Sequence, residues 1–346
     1  MAYLLDCPQP LAVYYDALLL DLDGVCYRGK SAIDHAPVSL EKAVAGGAEL
    51  RFITNNSARP PAVVATHLNA IGIAAKEEQV INSALTTAEQ IRAHYAPGSK
   101  LYVIGGQGVW EALQDAGYEL VDSAADNPVA VVQGLSETAS WVELSEAVLA
   151  IKAGAKHFAT NLDATLPRER GEMIGNGSLV AAVTNATGSE PIVSGKPNSF
   201  MYEYAVRKIS ARRPLAVGDR LDTDIIGANR AGYASLHVLT GVSSARDIMQ
   251  ATPLERPSFL GIDLQDLHMP MPKVEKKATI WECAGHSAEV KAGNLEIDGV
   301  IYHAENSPVI NLEQYRAATC AVWDYIDNIS ADKQIALPDF HVQRSA

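Results

Sequence analysis

The chain has 346 residues, of which 48% are apolar and 20% are charged, and its formal net charge is −13. This length favours two or three domains, and the composition is that of a globular protein. An acidic chain without a stripe of Lys and Arg gains no affinity for nucleic acid from counterion release, so we expect no nucleic-acid partner.

The cysteines and the N-terminus indicate where the protein works. Cys7, Cys26, Cys283 and Cys320 are scattered, with no spacing typical of a zinc site, and we expect free thiols in a reducing compartment. The chain has no basic start followed by an apolar run, and no apolar stretch of about 18 residues. We therefore expect a cytoplasmic protein with no membrane partner.

The first elements alternate between strand and helix. Residues 16–24, DALLLDLDG, hold an apolar run that ends in acidic residues, which is typical of a buried parallel strand. A helix is predicted around residues 39–45, with a Gly-Gly stop, and a second strand over ELRFITNN. Ser57 is predicted to cap the next helix, with two prolines in its first turn.

The alternation continues to about residue 267, after which the pattern changes. Residues 213–240 give a further strand–helix–strand unit. Repeated units of this kind predict an α/β fold with a Rossmann-like open parallel sheet covered by helices. A stretch rich in proline and charge follows Asp266 and reads as a linker. Strand-like segments and an amphipathic helix from about Leu312 to Ile326 then predict a small C-terminal α+β module.

The first of four polar fragments is Asp21-Leu22-Asp23-Gly24, at the end of the first strand. Residues two apart in an extended chain face the same side, so Asp21 and Asp23 are predicted to face one point. Their repulsion would be relieved by a divalent cation, which leaves one carboxylate to act as a nucleophile and the other to transfer a proton. Gly24 lets a ligand approach the backbone closely. An acidic surface turn is the alternative.

The other three fragments also stand where strands end, which is where open α/β sheets bind ligands. Thr54 and Asn55 could bind an anion together with the N–H groups of a helix start, and a plain helix cap is the alternative. Lys196, on extended backbone before a proline, could offer a charge to a phosphoryl oxygen, although solvated lysines are common. Asp219 and Asp224 offer oxygen ligands that suit Mg²⁺, and the alternative is an ordinary acidic turn.

In their order and spacing, DLDGV, TNNS, GKP and GDRLDTD resemble the four motifs of the haloacid dehalogenase-like hydrolases, over about residues 15–267. The branch of NagD-like proteins and phosphoglycolate phosphatases is the most similar, and TNLDATLPRERGEMIGNGSLVAAV resembles its cap signature. The resemblance implies a Mg²⁺-dependent phosphatase whose partner is a small phosphate ester, with glycerol 3-phosphate as the leading substrate. Phosphoglycolate or a broad set of esters is the first alternative. A phosphotransferase or a non-catalytic phospho-acceptor is less favoured.

The resemblance also implies a role for each core residue. Asp21 would be the nucleophile, Asp23 the acid and base, and Lys196 would balance the charge of nucleophile and phosphate. The implied phosphate-binding residues are Asp21, Asp23, Gly24, Thr54, Asn55 and Lys196. The implied Mg²⁺ ligands are Asp21, the backbone carbonyl of Asp23 and Asp219, with Asp224 in support.

The same resemblance implies a division into three domains. Residues 1–82 and 192–268 would form the catalytic core, residues 83–191 an inserted α/β cap, and residues 273–346 an incomplete acetyltransferase-like module. The cap would lower a specificity loop into the site, and a solvated turn is the alternative. The implied specificity residues are Ser136, Glu137, Thr138 and Trp141. The tail shows no loop for a pyrophosphate group, so we expect a packing or dimerisation element, and the chain could be a homo-oligomer.

Three further residues, in the cap and beside the first motif, have proposed roles outside catalysis. Asn161 and Asp163 are expected to fix the cap loop rather than to touch the substrate. Cys26 lies three residues past Asp23 and could be a redox switch, although a small packed thiol is favoured.

Overall fold

The computed structural model describes residues 3–168, 170–305, 307–328 and 335–344. The chain divides into two compact units: Met1–Arg51, Ile71–Ala74 and Ile209–Ala346 form the first, and Phe52–Ala70 and Ala75–Lys208 form the second. The three predicted domains stay a prediction. Among the described residues, no helix has both the length and the apolar character needed to cross a bilayer.

Helices and strands alternate along most of the described chain. The helices are α1 (Leu11–Tyr14), α2 (Ala36–Ala45), α3 (Pro61–Ala70), α4 (Ser83–Arg92), α5 (Gln107–Asp115), α6 (Trp141–Lys152), α7 (Asn176–Thr187), α8 (Phe200–Ile209), α9 (Ile226–Ala231), α10 (Ala245–Met249) and α11 (Leu312–Asn328). The strands are β1 (Ala17–Leu20), β2 (Tyr27–Arg28), β3 (Ser31–Ala32), β4 (Glu49–Thr54), β5 (Val80–Asn82), β6 (Lys100–Ile104), β7 (Glu119–Val121), β8 (Ala130–Gln133), β9 (Lys156–Ala159), β10 (Thr165–Arg168), β11 (Gly171–Ile174), β12 (Ile192–Val193), β13 (Pro214–Gly218), β14 (Ala234–Val238), β15 (Phe259–Gly261), β16 (Val274–Lys277), β17 (Ile280–Cys283), β18 (His286–Lys291), β19 (Asn294–Ile297), β20 (Val300–Tyr302), β21 (Val309–Asn311) and β22 (His341–Gln343).

The first unit carries parallel strands in the order β15-β14-β13-β1. Every residue of β1 and β13 is buried, as their apolar runs predict. Leu20 pairs with Val217, and the N–H of Asp21 donates to the carbonyl of Val217 at 2.9 Å. The two strands therefore end side by side, and the acidic residues that follow them emerge at one edge of the sheet.

The tail belongs to the first unit. Strands β16 to β20 form an antiparallel five-stranded sheet, and α11 packs against it, which confirms the predicted α+β module. One hydrophobic cluster joins tail residues such as Trp323 to Ile248 and Leu260, which precede the tail. Next to it, Arg256 and Asp327 form a buried ion pair with side chains 1% and 8% exposed. The tail is thus packed onto the remainder of this unit.

The second unit is built around another parallel sheet, in the order β12-β9-β8-β6-β7. Residues of α4 and α5 share one hydrophobic cluster with this sheet, and residues of α6 and α7 share a second cluster with it. In the same unit, the end of β4 pairs with β5, and β10 and β11 form an antiparallel hairpin. The predicted α/β class therefore holds here as well.

One predicted helix cap is wrong. Helix α3 begins at Pro61, and the carbonyl of Pro60 accepts from the N–H of Val64 at 3.2 Å, so Ser57 stands outside the helix. The Ser57 side chain is instead 1% exposed, and its hydroxyl shares a hydrogen bond of 3.0 Å with the hydroxyl of Thr160. The segment after β4 is therefore a loop, and the N–H groups of a helix start do not adjoin Thr54.

Candidate active site

Three carboxylates meet at the carboxyl ends of β1 and β13. One oxygen from each of Asp21, Asp219 and Asp224 lies within 4.8 Å of the other two. Asp219 and Asp224 are each 1% exposed. Buried carboxylates this close repel one another strongly unless a cation neutralises them. A set of oxygen ligands alone is what Mg²⁺ prefers, so the chemistry of these donors fits that ion.

Three glycines lie so close to this carboxylate cluster that a side chain at any of their positions would overlap it. A Cβ atom on Gly24 would lie 2.5 Å from Oδ2 of Asp219. A Cβ atom on Gly241 would overlap the same carboxylate, and one on Gly218 would overlap the side chain of Asp224. The close approach of three glycine backbones indicates that the carboxylates are held in a shaped site rather than on an open acidic turn.

Backbone hydrogen bonds fix the orientation of the cluster. Oδ2 of Asp219 accepts from the N–H of Val242 at 2.7 Å, and Oδ2 of Asp224 accepts from the N–H of Arg220 at 3.2 Å. Nε2 of His237 donates to the backbone carbonyl of Asp219 at 3.0 Å. Burial lowers the pKa of His237 to about 4, so this imidazole is neutral and adds no charge beside the cluster.

Asp23 has a different environment from the three clustered carboxylates. Its side chain is exposed, yet desolvation by the surrounding protein raises the pKa of its carboxyl group, and the charge of Arg28 offsets part of that rise. The Arg28 side chain is in turn held by the carbonyl of Thr240. A carboxyl group with a raised pKa is suited to donating a proton near neutral pH. Metal binding by the carbonyl of Asp23 stays a prediction.

Thr54, Asn55 and Lys196 lie in the second unit, and a network of hydrogen bonds connects Asn55 to Lys196. Oδ1 of Asn55 accepts from the N–H of Lys196 at 2.8 Å, and Nδ2 donates to the carbonyl of Lys196 at 3.0 Å. The Lys196 side chain is buried, and Nζ donates to the carbonyl of Ile53 at 3.2 Å. Oγ1 of Thr54 accepts from the N–H of Asn56 at 3.1 Å.

Asp163 also belongs to this network, through a contact with Asn55 that the sequence does not predict. Nδ2 of Asn55 lies 3.2 Å and 3.4 Å from the two carboxylate oxygens of Asp163. Nδ2 of Asn161 donates to the backbone carbonyl of Asn55 at 2.8 Å. The expectation that Asn161 and Asp163 fix a loop agrees with these contacts. The sequence pattern that pointed to them is the TNLD start of the cap signature.

The predicted specificity residues are not all placed alike. Glu137 lines a cavity of about 230 Å³ together with Asn55 and Asp163. The hydroxyls of Ser136 and Thr138 share a hydrogen bond of 3.3 Å. Trp141 is the first residue of α6, is 81% exposed and is absent from the lining of this cavity. Glu137 is therefore the member of the set that the geometry favours.

Cys26 is completely buried, and Sγ donates to the backbone carbonyl of Asp21 at 3.3 Å. Burial, with a smaller contribution from Asp21, raises the pKa of this thiol. Because the thiolate is the reactive form, the environment of Cys26 favours a packed thiol over a redox switch.

Comparisons with known proteins identify the family. Residues 18–119 match the family model described as haloacid dehalogenase-like hydrolase, and residues 193–267 match one described as HAD-hydrolase-like. The acid sugar phosphatase of Staphylococcus saprophyticus is 37% identical over 76% of this chain and 99% of its own length. The chain belongs to the haloacid dehalogenase-like hydrolases, and the predicted family and fold class are confirmed.

A more similar relative matches the tail as well. The D-glycerol 3-phosphate phosphatase of Mycobacterium tuberculosis is 39% identical over 91% of this chain and 88% of its own length. The crystal structure of a glycerol phosphate phosphatase from that organism, in complex with magnesium, matches with a TM-score of 0.82 and 37% identity. That match covers 97% of this chain and 95% of the other.

Proposed function

We propose that this chain is a Mg²⁺-dependent phosphatase that hydrolyses a small phosphate monoester, with glycerol 3-phosphate as the principal substrate. The observation that carries the proposal is the cluster of Asp21, Asp219 and Asp224 at the ends of two buried parallel strands. The substrate is supported by the relative named for glycerol 3-phosphate, since that similarity includes the tail. The free, buried thiols support a cytoplasmic location, and a homo-oligomeric state stays a prediction.

The proposed reaction has two displacements at phosphorus. A carboxylate oxygen of Asp21 forms a bond to phosphorus while the bond to the substrate alkoxide breaks, and Asp23 gives its proton to that alkoxide. Asp23 then takes a proton from water, whose oxygen attacks phosphorus, releases inorganic phosphate and restores Asp21. Mg²⁺, when bound by Asp21, Asp219 and Asp224, supplies positive charge that neutralises the phosphoryl oxygens.

On the basis of the motif resemblance, we propose that Gly24, Thr54, Asn55 and Lys196 bind the phosphate group. Oγ1 of Thr54 already accepts a hydrogen bond, so its hydroxyl contributes by donating its own proton. The side-chain polar atoms of Asn55 are all engaged, so this residue contributes through its backbone N–H. Lys196 supplies a positive charge, and Gly24 allows close approach to the backbone.

We propose that the specificity loop contacts the end of the substrate that does not react. Glu137 is the leading residue, because it lines the cavity beside Asn55 and a carboxylate accepts hydrogen bonds from substrate hydroxyls. Ser136 and Thr138 are proposed to supply further hydroxyl contacts. A substrate contact by Trp141 stays a prediction, and the high exposure of this side chain does not support it.

The test is a comparison of small phosphate esters with purified protein and Mg²⁺. We expect a higher kcat/KM for glycerol 3-phosphate than for phosphoglycolate or p-nitrophenyl phosphate. Asp21→Asn should abolish phosphate release. Asp222→Asn is the matched control, because Asp222 is an exposed carboxylate in the same acidic fragment as Asp219 but outside the cluster.

The outcomes separate the class from the substrate. Phosphate release by Asp21→Asn at the parental rate would refute the proposed nucleophile. Strong turnover of phosphoglycolate without turnover of glycerol 3-phosphate would reject the substrate and keep the class. Transfer of phosphate to an added alcohol instead of water would identify a phosphotransferase.

A further inference from the structure

We propose that Asp163 is a positioning residue, which fixes the backbone of Lys196 through the side-chain amide of Asn55. Only the predicted effect of Asp163 on catalysis rests on the proposed function. The positional part concerns contacts within the second unit and can be measured without any substrate.

Each polar atom of the Asn55 side-chain amide takes part in hydrogen bonds. Its oxygen accepts from the N–H of Lys196 at 2.8 Å, one amide hydrogen goes to the carbonyl of Lys196 at 3.0 Å, and the other faces the Asp163 carboxylate at 3.2 Å. An amide group can rotate by a half turn with little change of shape. A carboxylate only accepts hydrogen bonds, so Asp163 allows only the orientation in which Nδ2 faces it.

That orientation decides what Asn55 offers to Lys196. With Nδ2 turned toward Asp163, Oδ1 faces the N–H of Lys196, and the reversed amide would bring two donors together there. The neighbouring backbone leaves little freedom, because a Cβ atom on Gly195 would lie 2.9 Å from Oδ1 of Asn55. The N–H and the carbonyl of Lys196 favour the same orientation, so Asp163 reinforces it and anchors the amide from the side opposite Lys196.

The backbone position of Lys196 matters because its ammonium group is almost fully withdrawn from water. The residue is 3% exposed, and Nζ donates to the carbonyl of Ile53 at 3.2 Å. A buried side chain cannot correct a shift of its own backbone by moving freely through solvent. Misplacement of a charged group by about 1 Å can lower a reaction rate by roughly 100-fold.

Asp163 is itself firmly anchored, as a positioning residue must be. Its backbone carbonyl accepts from the N–H of Gly177, in the first turn of α7, at 2.9 Å. Its N–H donates to Oδ1 of Asn161 at 3.3 Å, and Nδ2 of Asn176 donates to the carbonyl of Asn161 at 2.9 Å. A Cβ atom on Gly175 would overlap the carbonyl of Asp163. The segment Gly175-Asn176-Gly177 thus fixes the loop that carries the Asp163 carboxylate.

The first measurement is hydrogen exchange at the amide of Lys196, which needs no activity. Asp163→Ala should speed exchange at this amide by about tenfold or more, since its acceptor, the Asn55 side chain, loses the contact that anchors it from the other side. Asp163→Asn keeps the size of the side chain and an oxygen that can accept from Nδ2 of Asn55, so it should give a smaller increase. Parental exchange at Lys196 in both variants would overturn the proposal, whether or not the enzyme is active.

The second measurement compares two substrates. Asp163→Ala should lower kcat by roughly 10–100-fold, and by a similar factor on glycerol 3-phosphate and on p-nitrophenyl phosphate, which lacks the glycerol hydroxyls. Asp163→Asn should recover part of the loss. A loss confined to glycerol 3-phosphate, chiefly in KM, would overturn the proposal in favour of a direct substrate contact. A parent inactive on both esters would instead reject the proposed function.

A double-mutant cycle tests the route through Asn55. If Asp163 acts through this amide, Asp163→Ala should lower kcat by less than about twofold in an Asn55→Ala background. Losses that multiply in the double variant would show that the two residues act independently and would overturn the inference. If Asp163→Ala fails to fold, Asp163→Asn replaces it in the same double-mutant cycle.

Discussion

Replacement of Gly24 with alanine would place a methyl group 2.5 Å from Oδ2 and 2.6 Å from Cγ of Asp219. Atoms at such distances overlap, so either the Asp219 carboxylate or the backbone at position 24 has to move. Gly24 also has a φ of +89°, where a residue with a side chain is strained by about 1–2 kcal/mol. The substitution therefore combines backbone strain with displacement of a proposed metal ligand.

Gly29→Ala separates these two effects. Gly29 has a φ of +60°, and nothing lies within 4 Å of a Cβ atom placed there. Both variants should lose a similar amount of stability from backbone strain, but only Gly24→Ala should disturb Asp219. Disturbing the surroundings of a metal ligand typically weakens metal binding by roughly 10–100-fold, and tenfold corresponds to about 1.4 kcal/mol.

The assay is the Mg²⁺ dependence of phosphate release, supported by calorimetric titration of Mg²⁺ and by thermal unfolding with and without the ion. Gly29→Ala should keep the parental half-saturating Mg²⁺ concentration, and Gly24→Ala should raise it by at least about tenfold. A folded Gly24→Ala enzyme whose half-saturation lies within about twofold of the parent would refute the assignment of Asp219 to the metal site.

Three further predictions concern burial. Asp327→Asn leaves the buried charge of Arg256 uncompensated and should lower the unfolding free energy in urea by about 3–5 kcal/mol, and a cost below about 1 kcal/mol would contradict this reasoning. Burial lowers the pKa of His157, so the unfolded chain binds more protons, and as pH drops below about 6.5 this group should lower stability by at most about 1.4 kcal/mol per pH unit. His157→Gln should flatten this decline, and equal slopes would count against it. All four cysteines are buried, so a thiol reagent should label none rapidly in the native protein and four after unfolding, and fast labelling of Cys26 would revive the redox switch.

The parts of the fold that sequence reasoning predicted are those encoded by local patterns. The apolar run that ends at Asp21 predicts a buried strand with a functional end, and β1 is that strand. The apolar run before Asp219 predicts a strand for the same reason, and the two strand ends meet because the strands are parallel neighbours. The strand-like segments and the amphipathic helix pattern of the tail likewise predict the sheet and the helix that the tail forms.

The parts that sequence reasoning missed depend on contacts between distant residues. Ser57 has the chemistry of a helix cap, but its hydroxyl bonds instead to Thr160, which is 103 residues away in the chain. The amide of Asn55 likewise joins Asp163, 108 residues away, to Lys196, 141 residues away. Local preference cannot anticipate such partners, because a polar side chain takes the best partner that the folded chain brings to it.

The shared hydrophobic cluster of the first unit joins the tail to Leu221 and Ile225, which lie next to the carboxylates of Asp219 and Asp224 in the chain. Nε1 of Trp323 donates to the carbonyl of Ile248 at 2.8 Å, inside that cluster. A chain cut before Lys273 would expose the apolar surface that Trp323 now covers, and such patches promote aggregation. Tail and catalytic strands should accordingly melt in one cooperative transition, and heat-induced loss of activity should follow damage to either.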